Sequence, residues 1–225
     1  MPAADRWAED ADPMTLDSHT EAALLGTLPH RRFGVIGDSL SRGTGDPTPG
    51  YRPLGWSDRL ARGLTEAHPD TRYLNVAVVG ATTRQVIDTQ LDAMANFGPD
   101  LLHLPSGAND IFARTADFDS IEWDLRELYA RVAGHRAQLI TFTFGRGFRV
   151  PRIADWSARI TRMNELVRLI AGEHAAIVVD MWDHPVNDRA DLVSTDGIHF
   201  TTAGQAVLAT EVLKALSRCP DASAG

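Results

Sequence analysis

The sequence predicts a single α/β domain, built on a parallel sheet of five strands with helices on both faces. Two observations carry this. Five short runs of apolar and β-branched residues alternate with segments of helical period, and strand-helix-strand order imposes the crossovers of a parallel sheet. The chain of 225 residues, 44% of them hydrophobic, is also long enough for one well-buried core and short for two.

Residues 1–30 read as an acidic arm, expected to be mobile. Asp5, Glu9, Asp10, Asp12, Asp17 and Glu21 face a lone base, Arg6, and beyond Met1 the first twenty residues carry only Trp7, Met14 and Leu16 as large apolar side chains. A short helix over 18–25 leads into the first strand, 33–36, which breaks at Gly37 into Asp38 and Ser39. Residues 43–56 form a loop dense in Gly and Pro that carries Tyr51 and Trp56. The helix over 57–67 that follows sets Leu60 and Leu64 four apart on one face.

The second strand, 72–79, ends at Gly80, and Thr82 or Thr83 caps a helix over 85–94. The third strand, 100–104, runs into Pro105, Ser106, Gly107, Ala108, Asn109 and Asp110. A helix over 119–135 then lines up Leu125, Leu128 and Val132. The fourth strand, 138–144, is rich in β-branched and aromatic residues. After it come a loop, 145–155, with Arg146, Phe148, Arg149 and Arg152, and a helix over 156–174. The fifth strand, 176–181, and a longer loop, 182–200, precede a last helix, capped by Thr201 or Thr202 and ending near residue 217. The domain proper is taken as 31–218, with 219–225 as a tail.

Composition excludes several function classes. A net charge of −8 with no run of Lys and Arg disfavours nucleic acid as a partner. The single cysteine, Cys219, excludes an intrachain disulfide and speaks against a thiolate metal site. No apolar run reaches the roughly 18 residues of a spanning helix, and the first 30 lack a basic start followed by an apolar stretch. A soluble, cytoplasmic protein with no integral membrane association is therefore expected.

The polar groups of interest all follow strands: Ser39 the first, Gly80 the second, Asn109 the third, Asp196 and His199 the fifth. In a parallel sheet those ends lie along one edge, where open α/β folds place their chemistry. A serine hydroxyl becomes a useful nucleophile only when a base takes its proton. Asp196 and His199, three apart on a tight turn, suit that need. The carboxylate accepts from one ring nitrogen and fixes the tautomer, and the other nitrogen is left for the serine proton. The Ser39 N–H, the Gly80 N–H and the Asn109 amide are candidate oxyanion donors. Taken singly, each has a plainer reading: Asp196 shapes a turn, His199 caps the next helix, and Gly80 ends a strand. His103, inside the third strand, reads as a core or edge histidine, and His135 and His174 as solvated helix ends.

Taken together, Gly37-Asp38-Ser39-Leu40, Gly80 within NVAVVGATT, Gly107-Ala108-Asn109-Asp110 and Asp196-Gly197-Ile198-His199 resemble, in order and spacing, the four blocks of the SGNH hydrolases, or GDSL esterases and lipases. The resemblance spans about residues 33–215. It implies a three-layer α/β/α sandwich around a flavodoxin-like five-stranded parallel sheet. It further implies Ser39 as nucleophile, His199 as general base and acid, Asp196 as orienter, an oxyanion hole of Ser39, Gly80 and Asn109, and no metal or organic cofactor. His103 and Pro105 depart from the usual apolar approach to the third block. The Gly-x-Ser-x-Gly elbow of α/β-hydrolases is absent.

The expected substrate is a small-molecule acyl ester of small or medium chain. Tyr51 and Trp56 are candidates to flank it, and Phe148 and Arg149, with Arg146 and Arg152, to hold a carboxylate or phosphate; ordinary solvated arginines are the alternative. Two other functions share these residues. One passes the acyl group to an acceptor other than water, as an acyltransferase or thioesterase. The other is a flavodoxin-like binding module without catalysis, which leaves Asn109, Asp196 and His199 unexplained and lacks a P-loop lysine in 41–45.

Overall fold

The computed structural model describes residues 7–134 and 136–219. Its five strands form one parallel sheet in the order β2-β1-β3-β4-β5, comprising β1 (Arg32–Val35), β2 (Arg72–Asn75), β3 (Leu101–His103), β4 (Gln138–Phe142) and β5 (Ile177–Val179). Phe33 pairs with Tyr73 on one side and Leu101 on the other. The expectations for His135, for residues 1–6 and for residues 220–225 lie outside the described residues.

The helices are α1 (Ser18–Thr27), α2 (Ser39–Arg42), α3 (Trp56–Ala67), α4 (Thr83–Thr89), α5 (Leu91–Phe97), α6 (Phe118–Val132), α7 (Trp156–Glu173) and α8 (Thr202–Arg218). Helices α1, α3 and α8 pack together as one group, and α4, α5, α6 and α7 as another. With the sheet they make the three layers expected. Strand residues Phe33, Val35, Leu101 and Leu102 are fully buried, as strands covered on both faces must be. Thr82 caps α4 in a reciprocal box with Gln85, and Thr201 caps α8 through the Gly204 N–H at 3.3 Å.

Three expectations are corrected. The second strand is regular to Asn75 rather than 79: the Asn75 side chain accepts the Ala77 N–H at 3.0 Å, while the Val76 and Val78 N–H groups still donate to the Val35 and Gly37 carbonyls at 3.0 Å. Val78 and Val79 then swing outward, 53% and 59% exposed. The helix expected over 85–94 is two helices, α4 and α5, parted at Gln90. The buried amide of Gln90 takes the Gly37 N–H at 2.8 Å and donates to the Gly37 carbonyl at 2.9 Å. The N-terminal segment, from residue 7 on, is packed rather than mobile. Buried Glu9 pairs with Arg52 and Arg59, Asp12 pairs with Arg189 at 2.5 Å, and Leu25 and Leu28 join the core. Its acids found arginine partners far along the chain, which composition alone does not register.

Candidate active site

The chain runs from β1 outward to β2 and then returns past β1 to β3. The carboxyl ends of β1 and β3 therefore flank the switch point where open sheets leave a crevice. Ser39 leaves β1 at that point and Asn109 follows β3. Between β1 and Ser39 stands Gly37, at φ +138°, where an added Cβ would run into the Ser41 hydroxyl. A side chain there would force the turn open.

Asp38 is the N-cap of α2, accepting from the Leu40 N–H at 2.9 Å and the Ser41 N–H at 3.4 Å. It sets Ser39 as the first helical residue. Burial pushes the Asp38 carboxyl up to about 6, against the pull of the Leu40 and Ser41 N–H groups. Beneath α2, the Ser41 hydroxyl meets His103 Nε2 at 3.0 Å, and the His103 ring stacks on Phe142. Burial drives His103 down to about 3, so this histidine is neutral and structural.

His199 arrives from the opposite side. β5 is separated from β1 by β3 and β4, so the loop after β5 must cross roughly 14 Å of sheet edge at the usual strand spacing. It ends in a closed turn: the Ser194 N–H donates to the His199 carbonyl at 2.8 Å, the Gly197 N–H to the Ser194 carbonyl at 2.9 Å, and Val193 bridges Phe200. The turn presents His199 Nδ1 to Asp196 Oδ2 at 2.6 Å and His199 Nε2 to Ser39 Oγ at 2.7 Å. The other Asp196 oxygen accepts the Ile198 and His199 N–H groups at 2.8 and 3.1 Å. Burial raises the Asp196 carboxyl, but the bonds from the His199 ring and these two N–H groups outweigh it and hold the group below the ordinary carboxylate range. An ionised carboxylate only accepts, so Nδ1 carries the hydrogen and Nε2 offers its lone pair to the Ser39 hydroxyl.

The Gly80 N–H lies in an exposed turn at φ +84°, with no acceptor among the described residues. The Ser39 N–H, at the open start of α2, likewise has none. The Asn109 amide donates to the Ala81 carbonyl at 3.0 Å and, more weakly, to Asp38 Oδ2 at 3.3 Å. Asp110 ties the same turn to α4 by accepting the Thr83 hydroxyl at 2.9 Å.

The expected substrate-flanking residues fare differently. Trp56 is fully buried, with its Nε1 donating to the Leu40 carbonyl at 3.1 Å, and is a core residue. Tyr51 gives its hydroxyl proton to Asp12 at 2.6 Å and accepts from Arg189, which anchors the N-terminal segment. Phe148 is buried edge-on against Phe200, behind the His199 turn. Arg149 remains exposed, with its guanidinium on the Arg146 and Phe148 carbonyls and its backbone N–H on the Gly197 carbonyl at 3.3 Å. Arg146 pairs with Asp188, and Arg152 lies over the Phe112 ring. Gln90 went unnoticed in the sequence, since a glutamine within an amphipathic run carries no sign that its amide is turned inward.

Comparison with known proteins agrees with this architecture. No curated protein matches the chain. Among solved structures, it resembles LAE5, described as an alpha/beta hydrolase enzyme from the metagenome of Lake Arreo, Spain, with a TM-score of 0.68 at 24% identity over 88% of this chain and 100% of that one. It also resembles TesA, at 0.67 and 21% over 82% and 97%. A variant of Axe2, an acetyl xylan esterase from Geobacillus stearothermophilus, gives 0.67 and 19% over 82% and 93%. At these identities the likeness carries the fold. The model of the GDSL-like Lipase/Acylhydrolase family matches residues 35–207, a span holding Ser39, Gly80, Asn109, Asp196 and His199, and the chain therefore belongs to that family of ester-hydrolysing serine enzymes.

Proposed function

We propose that the chain is a serine esterase that cleaves a small or medium acyl ester through an acyl-serine intermediate. The observation that carries this is the unbroken relay from Asp196 through His199 to Ser39, with links of 2.6 and 2.7 Å. Ser39 Oγ attacks the acyl carbon as its proton passes to His199 Nε2. The imidazolium, steadied by Asp196, then protonates the leaving oxygen, and the acyl group stays on Ser39. Water enters, gives a proton to His199 and releases the acid, and the serine recovers its hydrogen.

The Ser39 and Gly80 N–H groups are suited to receive the oxyanion because neither has an acceptor to abandon among the described residues. Asn109 would add a third donor by exchanging its long bond to Asp38 for the developing charge. Replacing Asn109 by alanine is expected to lower kcat about 100- to 1000-fold, the usual cost of one oxyanion donor, with KM little changed. Steady-state kinetics on a p-nitrophenyl ester measures both.

Substrate selection is assigned to exposed Arg149, which borders a groove of about 410 Å³ with Ile153 and Trp182. Ser39, Gly80, Asn109 and His199 do not line that groove, and its link to the catalytic loop is the Arg149 N–H bond to the Gly197 carbonyl at 3.3 Å. Arg149 has no carboxylate partner among the described residues, and its backbone meets the turn that bears His199. An ester with an anionic group suits such a groove. Arg149→Ala is expected to raise KM several-fold for an anionic ester and to spare a neutral one of equal length. Equal effects on the two would assign the groove another role.

A further inference from the structure

We infer that Asp46 is a positioning residue for the Asp196 and His199 pair, an inference that rests on the esterase reading above. The segment 44–48 begins on the nucleophile's own backbone, where the Thr44 N–H donates to the Ser39 carbonyl at 3.0 Å. Two residues on, Asp46 reaches the other loop. Its carboxylate Oδ2 accepts both the N–H and the hydroxyl of Thr195, each at 2.9 Å. Its own N–H donates to the Ser194 hydroxyl at 2.8 Å, and its carbonyl accepts the Thr202 N–H at 2.9 Å. The Thr48 N–H adds a bond to the Thr202 hydroxyl at 2.7 Å.

These bonds grip the turn on both sides of Asp196 and His199, immediately before Asp196 and shortly after His199. The grip has a physical purpose. The loop after β5 crosses the sheet edge with little regular structure, a 3₁₀ turn at Pro185–Asp188 and the Val193 to Phe200 bridge. An error of about 1 Å in the imidazole costs on the order of 100-fold in rate. Asp46 ties the imidazole's loop to the serine's loop directly, so the 2.7 Å link from Ser39 to His199 is set by contact between the two segments rather than across the width of the sheet. Asp46 does not touch the reacting atoms.

The test compares Asp46→Ala and Asp46→Asn on a p-nitrophenyl ester, with kcat expressed per site titrated by a fluorophosphonate. That normalisation removes any misfolded fraction. Ser39→Ala, which has no serine to titrate, is measured beside them per mole of folded protein. Asp46→Ala is expected to lose about 10- to 100-fold in kcat per titrated site, with KM within about twofold of wild type. Asp46→Asn should recover to within about threefold, since its amide oxygen accepts the same two Thr195 donors. A wild-type kcat per site in Asp46→Ala, with only the titratable fraction or Tm reduced, would overturn the inference, as would equal losses in the two Asp46 variants. Ser39→Ala separates the failures: if it keeps turnover the esterase reading falls, and if it is inactive while Asp46→Ala is not, only the role of Asp46 falls.

Discussion

Replacing Ser39 by alanine is expected to lower kcat for a p-nitrophenyl ester by about 10⁵- to 10⁶-fold, the scale of losing the nucleophile from a unit that acts as a whole. The fold should survive. The Ser39 hydroxyl has one hydrogen-bond partner among the described residues, His199 Nε2, and the N-cap that shapes α2 belongs to Asp38. Its loss leaves the cap, the clamp from Gln90 and the core contacts in place. An unchanged Tm beside the collapsed kcat would separate lost chemistry from lost structure. On the proposed reading, what rate remains comes from the Ser39, Gly80 and Asn109 donors, which would still polarise the carbonyl without the nucleophile.

His199→Ala is expected to cost a similar factor, for a different reason. The serine is then present, but nothing within reach takes its proton. Asp196 approaches Ser39 only through the imidazole, and His103 is buried, neutral and bonded to Ser41. If the two residues act in one step, as proposed, the double variant Ser39→Ala with His199→Ala should lie within about threefold of either single one rather than at the product of their effects. Losses that multiplied would mean that the two contribute independently and that the relay is not the working unit. Matched kcat measurements on the three variants decide this.

The placement of the site was legible because it follows from topology. A strand buried on both faces reads as an apolar run, and the breaks after Ile36, Leu104 and Met181 mark where the chain reaches the sheet's edge. Once the order is strand-helix-strand, Ser39, Asn109 and the turn bearing His199 must share that edge. The spacing of Asp196 and His199 was equally plain, since three residues of a turn fix their distance whatever surrounds them.

What was illegible depends on contacts remote in sequence. Trp56 stood in a stretch rich in Gly and Pro and suggested an aromatic beside the substrate, yet it opens α3 and fills the space between Phe33, His103 and Phe142. Glu9 and Asp12 read as solvated acids because their neighbours are polar. Their partners Arg59 and Arg189 lie 50 and 177 residues away, and no local pattern encodes that. Gln90 broke a helix through a bond to Gly37, 53 residues back. In each case the side chain is held inward by a partner elsewhere in the chain, which its sequence neighbours do not reveal.

One measurement bears most directly on the claim that Ser39 carries the acyl group. The protein is treated with a fluorophosphonate, digested, and its peptides mapped by mass, beside Ser39→Ala treated in the same way. A single adduct on the peptide holding Gly37-Asp38-Ser39-Leu40, absent from the variant, is the predicted result. An adduct on a different serine, or undiminished labelling of Ser39→Ala, would contradict it.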